Sequence, residues 1–125
     1  MIMKVLTIKQ PWLYAITDLT KRIENRKWFP PQSVIGSRIG LHSAKIDDVK
    51  GYEWIYNTTG VTVPQSLPRG CLVATAIIAG YVEGSSDVWF IEGGVGWLLT
   101  DIVKLQRTIP CKGQLRLWNF MDIEN

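Results

Sequence analysis

The chain has 125 residues, of which 46% are hydrophobic and 20% charged. That balance excludes intrinsic disorder and predicts one globular domain, residues 1–125, large enough to bury a core. The net charge of +3 permits an anionic partner without demanding one. The first residues, Met1 to Lys4, do not begin a basic leader with a long apolar run, and no stretch approaches eighteen uninterrupted apolar residues. The sequence therefore predicts a soluble, cytoplasmic protein with no membrane partner.

Met3 to Lys9 alternates as a strand, with Leu6 and Ile8 on one face and Val5 and Thr7 on the other. Gln10-Pro11 breaks it, and Pro11 suits the first position of a helix. Trp12, Ala15, Ile16 and Leu19 then fall at i, i+3, i+4 and i+7, which predicts a short helix over 11–19 with its stripe in the core.

A charged run follows, Lys21-Arg22-Ile23-Glu24-Asn25-Arg26-Lys27-Trp28. It holds four of the chain's fourteen Lys and Arg. As a strand it places Arg22, Glu24, Arg26 and Trp28 on one face and Lys21, Ile23, Asn25 and Lys27 on the other. Two largely polar faces are unusual for a strand whose only task is packing. Glu24 and Arg26 point the same way, whereas Lys21 reaches Glu24 only if the helix-to-strand junction is irregular. Pro30-Pro31 ends the element.

Residues 32–37 read as a loop and 38–43 as a strand, with Ile39 and Leu41 inward and Arg38, Gly40 and His42 outward. His42 is the only histidine, and a lone histidine is more often structural than catalytic. Ser43 and Lys45 follow it. Asp47 suits the cap of a helix over 48–56, whose apolar line is Val49, Tyr52 and Tyr56 with Ile55 beside it. Gly51 weakens that helix by up to about 1 kcal/mol.

Leu67-Pro68-Arg69-Gly70 is a turn. Residues 71–82 are apolar on both faces, as in a central strand of a sheet or barrel. Gly93-Gly94-Val95-Gly96 lacks the Lys-Ser/Thr and the helix of a phosphate-cradling loop, and reads as a bend. A bulged strand follows over 97–106, and a last one alternates Leu115, Leu117 and Asn119 against Arg116, Trp118 and Phe120. Five or six strands with two short helices imply a small, curled α+β fold. Cys71 and Cys111 have no CxxC or histidine-rich spacing, so they predict reduced, buried thiols, no metal site and no cofactor. Six tryptophans serve equally as core fillers or as stacking surfaces beside cations.

These motifs together resemble the ASCH domain family, a branch of the PUA-like superfamily. The family signature Gly-x-Lys-x-x-Glu-x-Arg is matched by Lys21, Glu24 and Arg26, with Leu19 where the family has glycine. Leu6 to Trp12 resembles the opening of many members, and Gly40-Leu41-His42-Ser43-Ala44-Lys45 resembles their second conserved strand. Leu67 to Gly70, Val95 to Trp97 and Pro110 to Gly113 follow in the expected order. The resemblance spans nearly the whole chain and implies a small PUA-like β-barrel with helices packed over it and a cleft beside the signature strand.

Beside a protein-interaction or regulatory domain, in which the Lys21–Glu24–Arg26 network only locks the structure, two site-based kinds of function follow. The resemblance implies binding of RNA or of a modified nucleotide, with a regulatory place in RNA metabolism. Lys21, Arg26 and Lys45 would meet phosphate or a base edge, and Trp12, Trp28 or Trp97 would stack on a base. The alternative is a hydrolase acting on an acylated nucleobase, or a ribonuclease, with Lys21 and Glu24 catalytic, Ser43 or Thr7 supplying a hydroxyl, and His42 relaying a proton. One enzymatic branch of the family places a threonine nucleophile where this chain has Glu24. Arg22 and Lys27 read as solvated charges.

Overall fold

The computed structural model describes residues 2–121. In chain order it contains strand β1 (Ile2–Ile8), helix α1 (Trp12–Asp18), strand β2 (Ile23–Arg26), a 3-10 turn (Gln32–Val34), strand β3 (Arg38–Ser43), helix α2 (Lys50–Thr59), and strands β4 (Cys71–Val82), β5 (Val95–Pro110) and β6 (Leu117–Met121). The six strands form one mixed sheet in the order β2-β5-β4-β3-β1-β6. Only β1 and β3 run parallel; the other neighbours are antiparallel.

The sheet is not closed into a barrel: β2 and β6 are its edges. It nevertheless curls. The β4–β5 register shifts at three places and the β3–β4 register at one, and each such irregularity bends a strand and increases its twist. Gly80, with φ of 152°, lies at one of these shifts. The curl brings edge strand β2 within side-chain reach of β1, four places along the sheet, where Arg26 donates from Nη2 to the Thr7 carbonyl at 2.8 Å.

Alternation in β1 divides the packing. Leu6 and Ile8 enter the main core with Leu13 and Ile16 of α1, Ile39 and Leu41 of β3, and Trp97 of β5. Val5 lies on the opposite face with Leu72 and Trp118. Helix α1 has only seven residues, too few to stand alone. Burial holds it, at roughly 1.5–3 kcal/mol for each Leu or Ile side chain. Its Ala15 turns the other way, into a third cluster with Ile55, Val63 and Trp89, so α1 lies between the sheet and α2.

Several expected boundaries move. A 3-10 turn occupies part of the expected 32–37 loop, β5 runs from Val95 to Pro110, and β6 starts at Leu117, leaving Leu115 outside it and 91% exposed. Strand β3 has the expected limits, but it is buried on both faces from Ile39 to Ser43. Helix α2 begins at Lys50 with no side-chain cap. Asp47 instead accepts a two-pronged pair from Arg69, at 2.7 Å from Nε and 2.8 Å from Nη2, and the Tyr52 hydroxyl at 2.6 Å. A charge-assisted fork outweighs a single capping bond.

Of the expected α2 apolar line, Ile55 is buried while Val49 and Tyr56 are exposed. Gly51 belongs to the buried face because α2 approaches the start of α1 so closely. A Cβ there would lie 2.8 Å from Pro11 Cδ and 3.1 Å from Trp12 Cε2. Cys71 and Cys111 are free thiols, the first buried and the second only half-buried. Burial pushes both pKa values upward.

Candidate functional site

The signature segment takes its geometry from the end of α1. Leu19 closes the helix at φ −115° and ψ −150°, with its N–H donating to Ala15 O. That is extended backbone open to any L-residue, so the glycine of the family signature is not required here. Lys21 lies before β2, in the irregular junction its contact with Glu24 demands. Its ammonium donates to the Ile23 carbonyl and, at 3.1 Å, to Glu24 Oε1. The other carboxylate oxygen, Oε2, accepts Arg26 Nε at 3.1 Å, with Arg26 Nη2 also at 3.1 Å.

Lys21 is 3% exposed and Glu24 7%. A buried carboxylate between two cations is thus the floor of the site, and one carboxylate serves both. An ammonium carries three donors. Two are occupied here, which leaves one N–H beside the cleft.

Two adjoining hollows open above this triad. The first, about 350 Å³, is a slot lined by Lys21, Glu24 and Asn25 below, by Trp12, Trp54 and Trp89 at the sides, and by Asp48, Lys50, Gly51 and Ile91. The three indoles form a continuous wall: Trp12 and Trp54 meet edge to face at 5.5 Å, and Trp54 and Trp89 lie 5.6 Å apart. The Lys21 ammonium stands 6.0 Å from the Trp12 ring centre. Trp12 is fixed by its indole N–H, which donates to Asp48 Oδ2 at 2.9 Å. Asn25 ties β2 to the 89–91 segment, donating to Trp89 O at 2.8 Å and accepting from Ile91 N at 3.0 Å.

The second hollow, about 370 Å³, is a trough that shares Trp12, Glu24, Asn25 and Asp48 with the slot. Thr7, Lys9, Arg26 and the 114–116 segment complete it.

The structure thus brings together Lys21, Glu24, Arg26 and Trp12 of the expected residues, and separates the rest. His42 does not point outward: it is 1% exposed. Its Nε2 lies 2.8 Å from Cys111 O and its Nδ1 3.3 Å from Thr7 Oγ1. A carbonyl only accepts, so Nε2 carries the proton and Nδ1 accepts from Thr7. Thr7 Oγ1 in turn accepts the Trp118 indole N–H at 3.0 Å. Gly113 covers the group, because a Cβ there would come within 2.8 Å of His42 Cε1. Burial lowers the His42 pKa. The cluster is closed and fastens three strands.

Ser43 is fully buried and donates to Pro68 O at 2.6 Å. Lys45 is exposed and lines neither hollow. Trp97 is 0% exposed. Its N–H donates to Trp28 O at 3.0 Å, and its ring meets Trp28 at 4.7 Å. The other partner of Trp28 is Arg116, whose guanidinium carbon sits 3.9 Å from the ring centre. Neither ring is open for stacking. Arg22 and Lys27 are exposed, with Arg22 donating to the Ile16 and Lys21 carbonyls.

Asp48, Asn25, Trp54 and Trp89 belong to the site but were not singled out from sequence. Asn25 had a signal, its place inside the signature. The two tryptophans had none, because α2 and the 89–91 segment reach the slot only through packing. Among the described residues no group of three or more His, Cys, Asp or Glu side chains is placed to hold a metal, and no helix is long and apolar enough to cross a membrane. The sequence matches no family model and no curated relative. The likeness to the ASCH family therefore rests on the motif residues themselves.

Proposed function

We propose that the protein is an ASCH-type, PUA-like domain whose slot binds one nucleobase, either of an RNA or of a free modified nucleotide, in a regulatory role in RNA metabolism. The observation that carries this reading is that Trp12, Trp54 and Trp89, in contact with one another, line one slot with the buried Lys21–Glu24 pair. The wall supplies stacking, on the order of 1–3 kcal/mol per base and tolerant of base identity. Lys21 offers a donor, while Glu24 and Asp48 offer acceptors, for the polar edge of the ring. A volume near 350 Å³ sits at the lower end of the range for small-ligand sites, roughly 300–1,000 Å³. It suits a single base rather than a duplex. The curled sheet, across which Arg26 of β2 reaches β1, supports this reading without closing into a barrel.

Binding is favoured over hydrolysis by the lining of the slot. No serine, threonine or cysteine is among its residues, and the Thr7 hydroxyl at the trough is already engaged by His42 and Trp118. Titrating nucleosides and short single-stranded RNAs against tryptophan fluorescence tests the reading. Trp54 is 37% exposed, so Trp54→Ala should leave the fold intact and weaken binding about tenfold. Unchanged affinity in that variant would sink the proposal. Mass spectrometry of the same mixtures decides the enzymatic alternative, since products that disappear with Lys21→Met would establish turnover.

A further inference from the structure

The trough beside the slot has its own chemistry. Its charged lining is Lys9, Arg26 and Arg116 against Glu24 and Asp48, and Glu24 is also held by Lys21 from the other side. Cations are therefore in excess. Their donors are also unequally engaged. Arg26 directs Nε and Nη2 at Glu24 and Thr7 O, and its Nη1 has no acceptor among the described residues.

Arg116 stands out. It sits at φ 57°, and its Cζ stands over the Trp28 ring, 3.9 Å from the ring centre. It has no carboxylate or carbonyl partner among the described residues. An aromatic face beneath a guanidinium restricts it without engaging its N–H donors, and an arginine so held can grip a phosphate with two parallel bonds. A solvated surface arginine would lack that ring beneath it.

The geometry points to a phosphate subsite in the trough, formed by Arg116 on its Trp28 platform with Lys9 and Arg26 Nη1, which takes the phosphate ester attached to the nucleoside whose base fills the slot. The two hollows share Trp12, Glu24, Asn25 and Asp48 and so adjoin, as the base and phosphate of one nucleotide require. This assignment rests on the base-binding reading of the slot and adds the class of ligand: a nucleotide, as monophosphate or as one unit of a strand, in preference to a free base or nucleoside. Arg116→Lys keeps the charge but loses the fork and the stack, so it separates bidentate recognition from bulk attraction.

The test titrates the protein with the four ribonucleosides and with their 3′- and 5′-monophosphates at low salt. Binding is followed by tryptophan fluorescence and by NMR of the indole and arginine Nε–H signals. A monophosphate should bind at least about tenfold more tightly than its nucleoside, the scale of one charge-assisted pair. Arg116→Gln should remove most of that gain without changing nucleoside affinity, Arg116→Lys should retain part, and added salt should shrink it. The preferred isomer identifies which ester the trough takes.

Equal affinity for nucleoside and monophosphate overturns the subsite and leaves the slot reading standing, as does a gain that survives Arg116→Gln. Monophosphates that move the Arg116 signal while neither they nor nucleosides disturb Trp54 would support an anion site and defeat the base-binding reading. No response to any of the compounds defeats both.

Discussion

Replacing Glu24 by Gln should destabilise the protein more than replacing Lys21 by Met, although the two side chains form one ion pair. Glu24 is the shared anion of the triad, at 3.1 Å from Lys21 and 3.1 Å from Arg26. At an effective dielectric near 20, one contact at that distance is worth roughly 5 kcal/mol of gross attraction, most of it offset by desolvation. Glu24→Gln removes the only carboxylate paired with Lys21 among the described residues and leaves the ammonium, 3% exposed, with the Ile23 carbonyl and a neutral amide. Breaking a buried pair in this sense costs about 3–5 kcal/mol. The retained hydrogen bonds put this case near 3. Arg26, whose side chain is already 22% exposed, can turn to water.

Lys21→Met, by contrast, leaves Glu24 still paired with Arg26, and should cost about 1–2 kcal/mol. With both changes the stranded charge is gone, so the double variant should be more stable than Glu24→Gln alone. Urea unfolding followed by tryptophan fluorescence gives all four corners of the cycle. A loss under about 1 kcal/mol for Glu24→Gln, or a larger loss for Lys21→Met, would refute the view of Glu24 as the shared anion of a buried triad.

Three further outcomes follow from other parts of the structure. Burial lowers the His42 pKa, so the unfolded chain binds the proton more readily. Stability should therefore fall as pH drops below the ordinary histidine value of about 6.5, and His42→Gln should flatten that part of the profile in denaturation curves taken between pH 7 and 5. The Arg69 fork holds the Asp47 carboxyl below its usual range, which predicts stability present above about pH 4 and lost below it. The pair is partly exposed, so Asp47→Asn should remove only about 1 kcal/mol at neutral pH, along with the acid-limb slope. Gly51→Ala should destabilise by about 1–3 kcal/mol through its clash with Pro11 and Trp12, reversing the gain that alanine brings to a free helix. Thermal melts decide the sign, and a stabilised variant would refute a steric limit at the α1–α2 approach.

Much of the scaffold could be read from local pattern. The limits of β4 follow from a continuous apolar run after a turn signal, β3 follows from the alternation of Ile39 and Leu41, and α1 follows from its 3.6-residue stripe. The irregular junction before β2 was implied by one chemical demand, that Lys21 meet Glu24 from the wrong side of an ideal strand. Local reasoning failed where a long-range partner competed for a side chain. Asp47 suits a helix cap by its position, but Arg69, twenty-two residues on, offers two charge-assisted bonds. His42 reads as outward from alternation alone, yet Cys111 and Gly113 cover it from the other end of the chain.

The charged segment from Lys21 to Trp28 illustrates the division most clearly. Its residue types and spacing already specify a carboxylate between two cations, because Glu24 is three residues from Lys21 and two from Arg26. Nothing local specifies what faces that triad. Trp54 arrives on α2 through the glycine-permitted approach to Pro11, Trp89 arrives from the β4–β5 connection, and Arg116 arrives from the turn before the last strand. Ion pairs between near neighbours depend on short-range geometry that the backbone transmits directly. The wall and the trough exist only once burial of Ile55, Ala15 and Trp118 has set where distant elements come to rest.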